Sequence, residues 1–384
     1  MIAGIPKETF PNEKRVALIP AGIPALTKAG IEVVVQSGAG EAAGFPDAEY
    51  QEKGATVVKE RSEVFQKADV ILQVRALGAN PEKGMDDLQL MKEGQVVIGF
   101  MEPLTAKAGV EALAKKKVTA FAMELIPRIT RAQSMDALSS MANLAGYKAV
   151  ILAADHLPKI FPMMMTAAGT IVAAKVFIVG AGVAGLQAIA TARRLGAVVQ
   201  AYDVRPAVKE QVMSLGAKFV ELDLGAEEAE DKGGYAKELG EEFYKKQREM
   251  MLSVVGESDV VITTAAIPGK KAPILVTEEM VKGMRSGSVI VDLAAERGGN
   301  CDLTEPGKII QKHGVTIIGT TNLPALVPYH ASQTYSKNLT NFLALLNKEG
   351  KLDLNMEDEI VRETLVTRDG EVANPRVKEA LGIS

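Results

Sequence analysis

The stretch Lys175-Val-Phe-Ile-Val-Gly-Ala-Gly-Val-Ala-Gly185 joins an apolar run to three glycines in a G-x-G-x-x-G pattern. The run predicts a buried strand, Lys175–Val179, and Ala184–Leu195 predicts a helix directly after the turn. In such a turn the first glycine permits a tight bend, the second lets the backbone approach a pyrophosphate, and the third lets helix and strand pack closely. The N-terminus of the helix then faces the phosphates. The predicted cofactor contacts in this turn are Gly180, Gly182, Val183, Ala184 and Gly185.

An acidic residue completes the pattern. The next predicted strand, Val198–Tyr202, ends at Asp203, close to the spacing of about 20 residues expected for the acid that holds a ribose 2′-hydroxyl. A carboxylate there repels a 2′-phosphate, so the sequence favours NAD(H) over NADP(H). Arg205 leaves NADP(H) open as an alternative, because it could pair with a 2′-phosphate. It could instead face solvent or the pyrophosphate. Both residues are predicted cofactor contacts.

The rest of the chain alternates between short apolar runs and helical patterns, which is typical of parallel βαβ units. Predicted strands in the N-terminal part are Ile2–Ile5, Glu32–Gln36, Asp69–Val74, Val96–Phe100 and Thr119–Ala122. Predicted helices there are Pro20–Ala29, Asp86–Met91 and Lys107–Lys116. Later strands are Val260–Thr264, Ser288–Leu293 and Val315–Gly319, with a helix capped by Thr277 and another at Ser332–Asn347. We therefore predict an α/β fold of two doubly wound (Rossmann-like) parallel-sheet domains linked by long helices. Residues 1–135 with 330–384 form one domain, and residues 136–329 form the NAD(H)-binding domain.

One long helix is predicted from about Thr130 to His156, because Thr130-Arg-Ala-Gln133 fits the S/T-x-x-E/Q capping box. Around its start lie the polar residues Arg128, Gln133, Asp136 and Ser139. From the residues alone two interpretations stay open. The cluster is either a capping box with surface charges, or a set of donors and acceptors for a ligand.

Composition excludes several classes of protein. The 384 residues are 47% hydrophobic and 24% charged, which is typical of a folded globular chain. A net charge of −4, no Trp and 4% aromatic residues argue against a nucleic-acid partner. The single cysteine, Cys301, excludes a disulfide framework, and three scattered histidines lack metal-ligand spacing. The sequence predicts neither a metal site nor nucleic-acid binding.

Three further segments are interpreted from their glycines and charges. Residues 221–240 carry a dense acidic run ending in Gly233-Gly234, which predicts a mobile surface loop. Gly38-Ala-Gly40-Glu-Ala-Ala43 also fits a dinucleotide pattern, but Pro46 falls where the helix should run, so a structural turn is predicted. The apolar stretch Ile160–Ala192 is divided by Lys175 and several glycines, so we predict a hairpin, a buried strand and a glycine turn rather than a membrane span.

Together these segments resemble the NAD(H)-binding component (domain I, alpha subunit) of proton-translocating nicotinamide nucleotide transhydrogenase, over essentially the whole chain. The matching blocks are Gly4-Ile-Pro-Lys-Glu8, Arg15-Val-Ala17, Pro127–Ser140, Val179–Leu186, Gly233–Lys237, Thr263–Lys270, Val291–Ala294 and Gly298–Cys301. The resemblance implies reversible hydride transfer between NADH and NADP⁺. It places Arg128, Gln133, Asp136 and Ser139 at the nicotinamide and closes Tyr235 over the nucleotide. The remaining predicted cofactor contacts are Gly234, Thr264, Ala265 and Asn322.

The resemblance also implies partners and a location. NADP(H) binds to a different component, and a membrane-integral component couples the reaction to proton translocation. Because no stretch of this chain reads as a transmembrane helix, it looks like the version in which the NAD(H) component is a separate polypeptide. Such a chain is cytoplasmic and peripheral on the cytoplasmic face of the inner membrane. A homodimer is implied, in which the hairpin near Met163–Ala174 reaches the partner.

Two alternatives belong to other functional classes. Alanine dehydrogenase resembles this sequence as well, including an arginine at the place of Arg15 that would grip a substrate carboxylate. It needs a lysine and a histidine in the N-terminal domain, whereas here Arg75 stands in the place of the lysine and no histidine precedes His156. Arginine cannot shuttle protons near neutral pH. A sensor that only binds NAD(H) is the other alternative, and the polar cluster at 128–139 argues against it.

Overall fold

The computed structural model describes residues 1–221, 241–267 and 269–383. In chain order its strands are β1 (Ile2–Ile5), β2 (Glu32–Gln36), β3 (Thr56–Val58), β4 (Val70–Arg75), β5 (Val96–Phe100), β6 (Thr119–Ala122), β7 (Met164–Thr166), β8 (Gly169–Ile171), β9 (Lys175–Val179), β10 (Val198–Tyr202), β11 (Lys218–Phe219), β12 (Val260–Thr263), β13 (Val289–Asp292), β14 (Ile309–Lys312), β15 (Val315–Ile318), β16 (Asn347–Lys348), β17 (Lys351–Leu352), β18 (Leu365–Arg368) and β19 (Glu371–Val372).

The α-helices are α1 (Ile23–Lys28), α2 (Asp47–Glu52), α3 (Arg61–Lys67), α4 (Gly84–Leu90), α5 (Lys107–Lys115), α6 (Ala137–His156), α7 (Val183–Arg194), α8 (Lys209–Ser214), α9 (Glu241–Glu257), α10 (Glu278–Gly283), α11 (Pro328–Leu345), α12 (Glu359–Thr364) and α13 (Pro375–Leu381). Short 3-10 helices lie between them. Thr277 caps α10 as predicted, because its side chain accepts a hydrogen bond from the amide of Met280.

The chain divides into two compact units. Unit 1 comprises Met1–Met141 with Ala325–Ser384, and unit 2 comprises Ala142–Pro324. The sequence placed these divisions after residues 135 and 329. In the structure the first division falls inside α6, which is one continuous helix, and the second falls inside the 3-10 helix Leu323–Leu326, just ahead of α11.

Unit 1 is built on an eight-stranded sheet in the order β19-β18-β6-β5-β4-β1-β2-β3. Strands β1 to β6 pair in parallel, and β18 and β19 add an antiparallel edge from the C-terminal residues. The strand order reverses between β1, which leads to Pro6, and β4, which ends at Arg75. Helix α11 covers one face with the fully buried Tyr335, Leu339 and Phe342. Helices α3, α5 and α13 contribute to the core on the other face.

Unit 2 has a seven-stranded sheet in the order β11-β10-β9-β12-β13-β15-β14, parallel except for β14. Its central strands are almost continuously apolar because both faces are covered. Residues of α6 and α7 pack in one core of this unit, whereas Met251 and Val255 of α9 and Met280 of α10 pack in another. The predicted α/β class with two doubly wound parallel sheets is confirmed.

The stretch Ile160–Ala192 folds as predicted, with the hairpin β7–β8, the strand β9 and a glycine turn. The second glycine pattern ends in the 3-10 turn Glu41–Ala43 rather than in an α-helix, as also predicted. Across residues 1–221, 241–267 and 269–383, one helix, α6, is long and apolar enough to cross a membrane by length and composition. Ala149, Val150 and Ala153 of that helix lie in the core of unit 2, and core helices meet the same criteria.

Candidate functional site

The glycine turn of unit 2 lies where the strand order reverses between β9 and β12, the place where open α/β sheets bind ligands. Gly180 has φ +100°, and a Cβ there would lie 2.5 Å from Oγ1 of Thr264. A Cβ on Gly185 would lie 1.9 Å from the carbonyl oxygen of Gly180. At Gly182, by contrast, the nearest atom to a Cβ is Nη2 of Arg205 at 3.9 Å. The turn is therefore tight at its first and third glycines and open at its second.

Helix α7 starts immediately after the turn. Gly182 is its N-cap residue, so the amides of Val183, Ala184 and Gly185 form its first turn and have no partner within the helix. Helix α6 passes close to this turn, because a Cβ on Gly146 would lie 2.1 Å from the carbonyl oxygen of Ala184. Only glycine at position 146 permits this approach, which fixes the start of α7.

Asp203 directly follows β10 and is 8% exposed. Its Oδ2 accepts a hydrogen bond from the amide of Ala181, at 2.7 Å, inside the glycine turn. Arg205 donates to the same carboxylate from its backbone amide, Nε and Nη2, each at 2.9 Å. The predicted acid is therefore bonded directly to the turn, and the predicted arginine is paired with that acid.

The residues after β12 form the other side of the reversal point. The Thr264 hydroxyl donates to the carbonyl oxygen of Gly180 at 2.9 Å. The Asn300 side chain accepts from the amide of Ala265 and donates to its carbonyl oxygen, at 3.1 and 2.9 Å. Asn322 has φ +52°, a left-handed conformation that asparagine tolerates.

Sequence reasoning assigned no role to Asp292, which ends β13 and is fully buried. Its carboxylate accepts hydrogen bonds from the hydroxyls of Thr263 and Thr304 and from the amides of Ala294, Asn300 and Cys301. Since Asn300 in turn holds Ala265, this buried carboxylate fixes the loop beside the glycine turn. The available signal was an acid at the end of an otherwise apolar strand.

In unit 1 the predicted long helix is interrupted. Residues Thr130–Met135 form a 3-10 helix, and α6 begins only at Ala137. The predicted capping box is wrong, because Ile129 takes the N-cap position and no side chain caps the 3-10 helix. Physically, the chain turns at Asp136, whose ψ of 86° is not helical, so no continuous helix can begin at Thr130.

Asp136 provides the cap of α6 instead. Its Oδ1 accepts from the amide of Ser139 at 2.8 Å, and its Oδ2 accepts from the Ser139 hydroxyl at 2.5 Å. The Ser140 hydroxyl donates to the carbonyl oxygen of Asp136 at 3.1 Å. A negative charge at a helix N-terminus also favours the helix dipole. Two of the four predicted polar residues are thus in direct contact.

Hydrogen bonds and an ion pair anchor the 3-10 helix Thr130–Met135 within unit 1. The side-chain amides of Asn338 and Asn341 donate to the carbonyl oxygen of Ser134, at 2.9 and 3.1 Å. Arg131 forms a two-pronged ion pair with Asp358, both distances being 2.7 Å. Arg128 and Gln133 are exposed on the same segment. Within the described part of the chain, the Gln133 side chain has no hydrogen-bond partner.

Tyr235 and Gly234, the other predicted site residues, lie outside the described residues, as does the predicted loop after residue 221.

A buried ionic cluster lies at the reversal point of the unit 1 sheet. Arg15 donates to Glu13 from Nε and Nη2, at 2.8 and 2.7 Å. The guanidinium of Arg75 stacks over the ring of Phe10 at 4.3 Å, with its Nε 3.5 Å from Glu13. Because an arginine is a poor proton shuttle, Arg75 in this position cannot serve as the lysine of an alanine dehydrogenase.

Glu8 belongs to the same cluster. Its carboxyl accepts hydrogen bonds from the amides of Val74 and Arg75, at 2.6 and 3.1 Å. Burial, together with the nearby charge of Glu13, raises the pKa of Glu8 to about 8. The group is therefore mostly protonated at neutral pH, which limits the number of buried negative charges.

The described residues contain no group of three or more His, Cys, Asp and Glu side chains arranged to hold a metal ion. Cys301 is buried, and burial raises the pKa of its thiol to about 11. A thiol of this kind is a poor nucleophile at neutral pH.

Comparison with known proteins shows which family the chain matches and which proteins it is similar to. Residues 4–145 match the alanine dehydrogenase/PNT N-terminal domain, and residues 149–375 match the corresponding C-terminal domain. A protein of Rhodospirillum rubrum, named as the first part of NAD(P) transhydrogenase subunit alpha, is 53% identical over 378 residues, which are 98% of each chain. The alanine dehydrogenase of Staphylococcus saprophyticus is 31% identical over 392 residues, covering 100% of this chain and 98% of that one. The crystal structure of a transhydrogenase from Sinorhizobium meliloti superposes with a TM-score of 0.84 at 46% identity, covering 98% of this chain and 99% of the other.

Proposed function

Because the chain belongs to the alanine dehydrogenase/PNT family, we propose that it is the NAD(H)-binding subunit of a proton-translocating transhydrogenase. In this role it takes part in reversible hydride transfer between NADH and NADP⁺, the latter bound to a partner component. The resemblance seen in the sequence blocks is confirmed by relatives that match along the whole chain. The observation that carries the proposal is the hydrogen bond from Ala181, inside the glycine turn, to the buried carboxylate of Asp203.

The residues of unit 2 fit the chemistry of a dinucleotide. Asp203 offers a carboxylate to the ribose hydroxyls, and the open side of Gly182 admits a pyrophosphate. The amides at the start of α7 attract its negative charge. Thr264, Ala265 and Asn322 are further contacts in this proposal. Bound NADH would supply the hydride, and the chain would hold it in place.

In this proposal the polar segment that contains Arg128, Gln133, Asp136 and Ser139 orients the nicotinamide. Arg128, Asp136 and Ser139 hold the carboxamide and ring, and Gln133 lies at the seam with the NADP(H) of the partner component. Tyr235 and Gly234 stay predictions. Hydride passes directly between two rings, so the chain contributes positioning and exclusion of water rather than acid–base chemistry.

The proposal includes a homodimer formed through the hairpin β7–β8. Apolar side chains on and beside this hairpin are strongly exposed, Met165 by 79%, Val172 by 78% and Met163 by 60%. Contiguous exposed apolar residues are typical of interaction surfaces. A charged substitution in the hairpin, Met165→Asp, should shift the chain towards monomers in light scattering. An unchanged mass would contradict this assignment.

Two further components complete the proposed complex. The name of the Rhodospirillum rubrum relative describes one piece of a divided alpha subunit in that organism. By analogy, we place the NADP(H)-binding component and the membrane-integral proton channel on separate chains. The present chain would then be cytoplasmic, bound peripherally to the cytoplasmic face of the inner membrane.

The function is tested by binding first and turnover second. Purified chain should bind NADH in a fluorescence titration, and Asp203→Ala should narrow the difference between NADH and NADPH. Addition of the NADP(H)-binding component should produce NADPH from NADH and NADP⁺. Arg194→Gln, an exposed change at the far end of α7, is the matched control and should leave both readouts unchanged. Equal affinity of the unmodified chain for both nucleotides, or no turnover with the partner component, would contradict the proposal.

A further inference from the structure

The carboxylate of Asp203 already accepts one hydrogen bond for each of its lone pairs. A carboxylate offers about four lone-pair sites, two on each oxygen. Oδ1 accepts from the amide and Nε of Arg205, both at 2.9 Å. Oδ2 accepts from the amide of Ala181 at 2.7 Å and from Nη2 of Arg205 at 2.9 Å. Three of these four bonds therefore come from one arginine.

These four hydrogen bonds compete with the role that Asp203 has in dinucleotide binding. A ribose held in this way donates its hydroxyl hydrogens to the carboxylate. The two backbone amides are fixed by the turn and by β10, so they cannot give way without moving the chain. The guanidinium of Arg205 is on a flexible side chain that is 13% exposed. It is the group that a ribose would displace most readily.

The guanidinium of Arg205 also changes the charge that a ligand meets beside the glycine turn. Its Nη2 lies 3.9 Å from where a Cβ of Gly182 would be, on the open side of the glycine turn. Asp203 and Arg205 together carry no net charge. A 2′-phosphate approaching this pair meets a positive group and a neutralised acid rather than an isolated carboxylate, so repulsion is reduced.

Resting on the proposed function, we infer that Arg205 is a specificity-determining residue that competes with the ribose for Asp203. It weakens the binding of NAD(H) and reduces the discrimination against a 2′-phosphate. Asp203 without Arg205 would favour NAD(H) over NADP(H) more strongly than the unmodified chain does.

The test uses two pairs of ligands. The two members of each pair differ only in the 2′-phosphate, and only one of the pairs contains a pyrophosphate. NADH and NADPH are titrated by fluorescence, and adenosine 5′-monophosphate and adenosine 2′,5′-bisphosphate, which lack the pyrophosphate bridge, are titrated by calorimetry. In Arg205→Gln, NADH and the monophosphate should bind several-fold more tightly. NADPH and the bisphosphate should bind more weakly, so the ratio of the two affinities should rise by about tenfold.

Two variants serve as controls. Arg205→Lys keeps the charge but cannot bridge both carboxylate oxygens, so it should tighten NADH while losing less of the binding to a 2′-phosphate. It also provides the test if Arg205→Gln does not fold, which thermal melts will show. Arg194→Gln removes one positive charge at the exposed end of α7 and should leave the ratio unchanged.

Other results overturn the inference in distinguishable ways. If Arg205→Gln weakens NADH and NADPH equally and leaves the mononucleotides unaffected, Arg205 binds the pyrophosphate and does not compete with the ribose. An unchanged NADH-to-NADPH ratio likewise overturns it. In both cases the unmodified chain still binds NADH, so the proposed function stands. If the unmodified chain binds none of the four ligands, the proposed function fails, and this inference fails with it.

Discussion

Asp136 accepts hydrogen bonds from both the amide and the hydroxyl of Ser139, at 2.8 and 2.5 Å, and thereby starts helix α6. The same two side chains are proposed to hold the nicotinamide. A ligand that binds them would have to share groups already used in the cap. The cap fixes the carboxylate and hydroxyl in position before any ligand arrives, which is the kind of preorganisation that positioning requires.

Substitutions at Asp136 separate its role as the cap of α6 from its proposed role in holding the nicotinamide. Asparagine is also a good N-cap residue, so Asp136→Asn should keep the stability of the chain close to normal. Asp136→Ala removes the cap and should lower the free energy of unfolding by about 1 kcal/mol. Both should slow hydride transfer if the carboxylate charge orients the nicotinamide. Denaturant unfolding and transfer rates are measured side by side. An Asp136→Asn chain with normal transfer would restrict Asp136 to the helix cap.

At Gln133 an effect on stability and an effect on hydride transfer are easier to separate, because its side chain is exposed and bonds to no described residue. Gln133→Ala should therefore leave the melting temperature and NADH affinity nearly unchanged. Hydride transfer with the partner component should fall, by up to ~100-fold, since a small loss of ring alignment is costly. Thr130→Ala on the same 3-10 turn is the matched control, with no expected effect on either readout. Normal transfer in Gln133→Ala would remove this residue from the proposed site.

The fold followed closely from sequence periodicity. In unit 2 the strands β9 and β10 have the predicted limits, because buried parallel strands are short apolar runs that end abruptly at glycine or acid. The antiparallel edge strands β14, β18 and β19 were not predicted. Strand β14 is largely exposed and β19 has only two residues, whereas β18 is mostly buried but is the four-residue stretch Leu-Val-Thr-Arg, so none of them is a continuous apolar run. Their pairing depends on tertiary contacts that no local pattern reveals.

The site was only partly predictable. The glycine turn and Asp203 follow from spacing, because a single βα unit contains them. The capping box failed since Thr130-x-x-Gln133 has the right letters but lies ahead of the helix, while the real cap at Asp136 is followed by Ser139 rather than by Glu or Gln. The pairing of Arg205 with Asp203 depends on a side-chain conformation, which spacing does not give.

The chain should not oxidise L-alanine. Arg75, which is stacked on Phe10, is a poor proton shuttle, and residues 1–155 contain no histidine to act as a proton carrier. The assay measures NADH formation from L-alanine and NADH consumption with pyruvate and ammonium. A known alanine dehydrogenase, run in parallel, confirms that the assay works. Turnover in either direction would replace the proposed function with that of the other branch of the family.

Glu8 should make the stability of the chain depend on pH. Its pKa is about 8 in the folded chain, against 4.5 for an ordinary glutamate, so the folded state binds more protons between these values. The free energy of unfolding should therefore fall as pH rises from 4.5 to 8, by at most about 1.4 kcal/mol per pH unit. Glu8→Gln cannot lose a proton and should flatten this part of the curve. Urea unfolding at pH 5, 6.5 and 8 measures it, and equal slopes in both chains would contradict the buried, protonated state of Glu8.

The most direct test follows the hydride itself. NADH carrying deuterium at the transferred position is mixed with this chain, the NADP(H)-binding component and NADP⁺ in a single turnover, and the NADPH formed is analysed by mass spectrometry. Direct transfer predicts NADPH that retains the deuterium, formed only when both components are present. NADPH carrying hydrogen from solvent, or no NADPH at all, would contradict direct transfer from a nucleotide held by this chain.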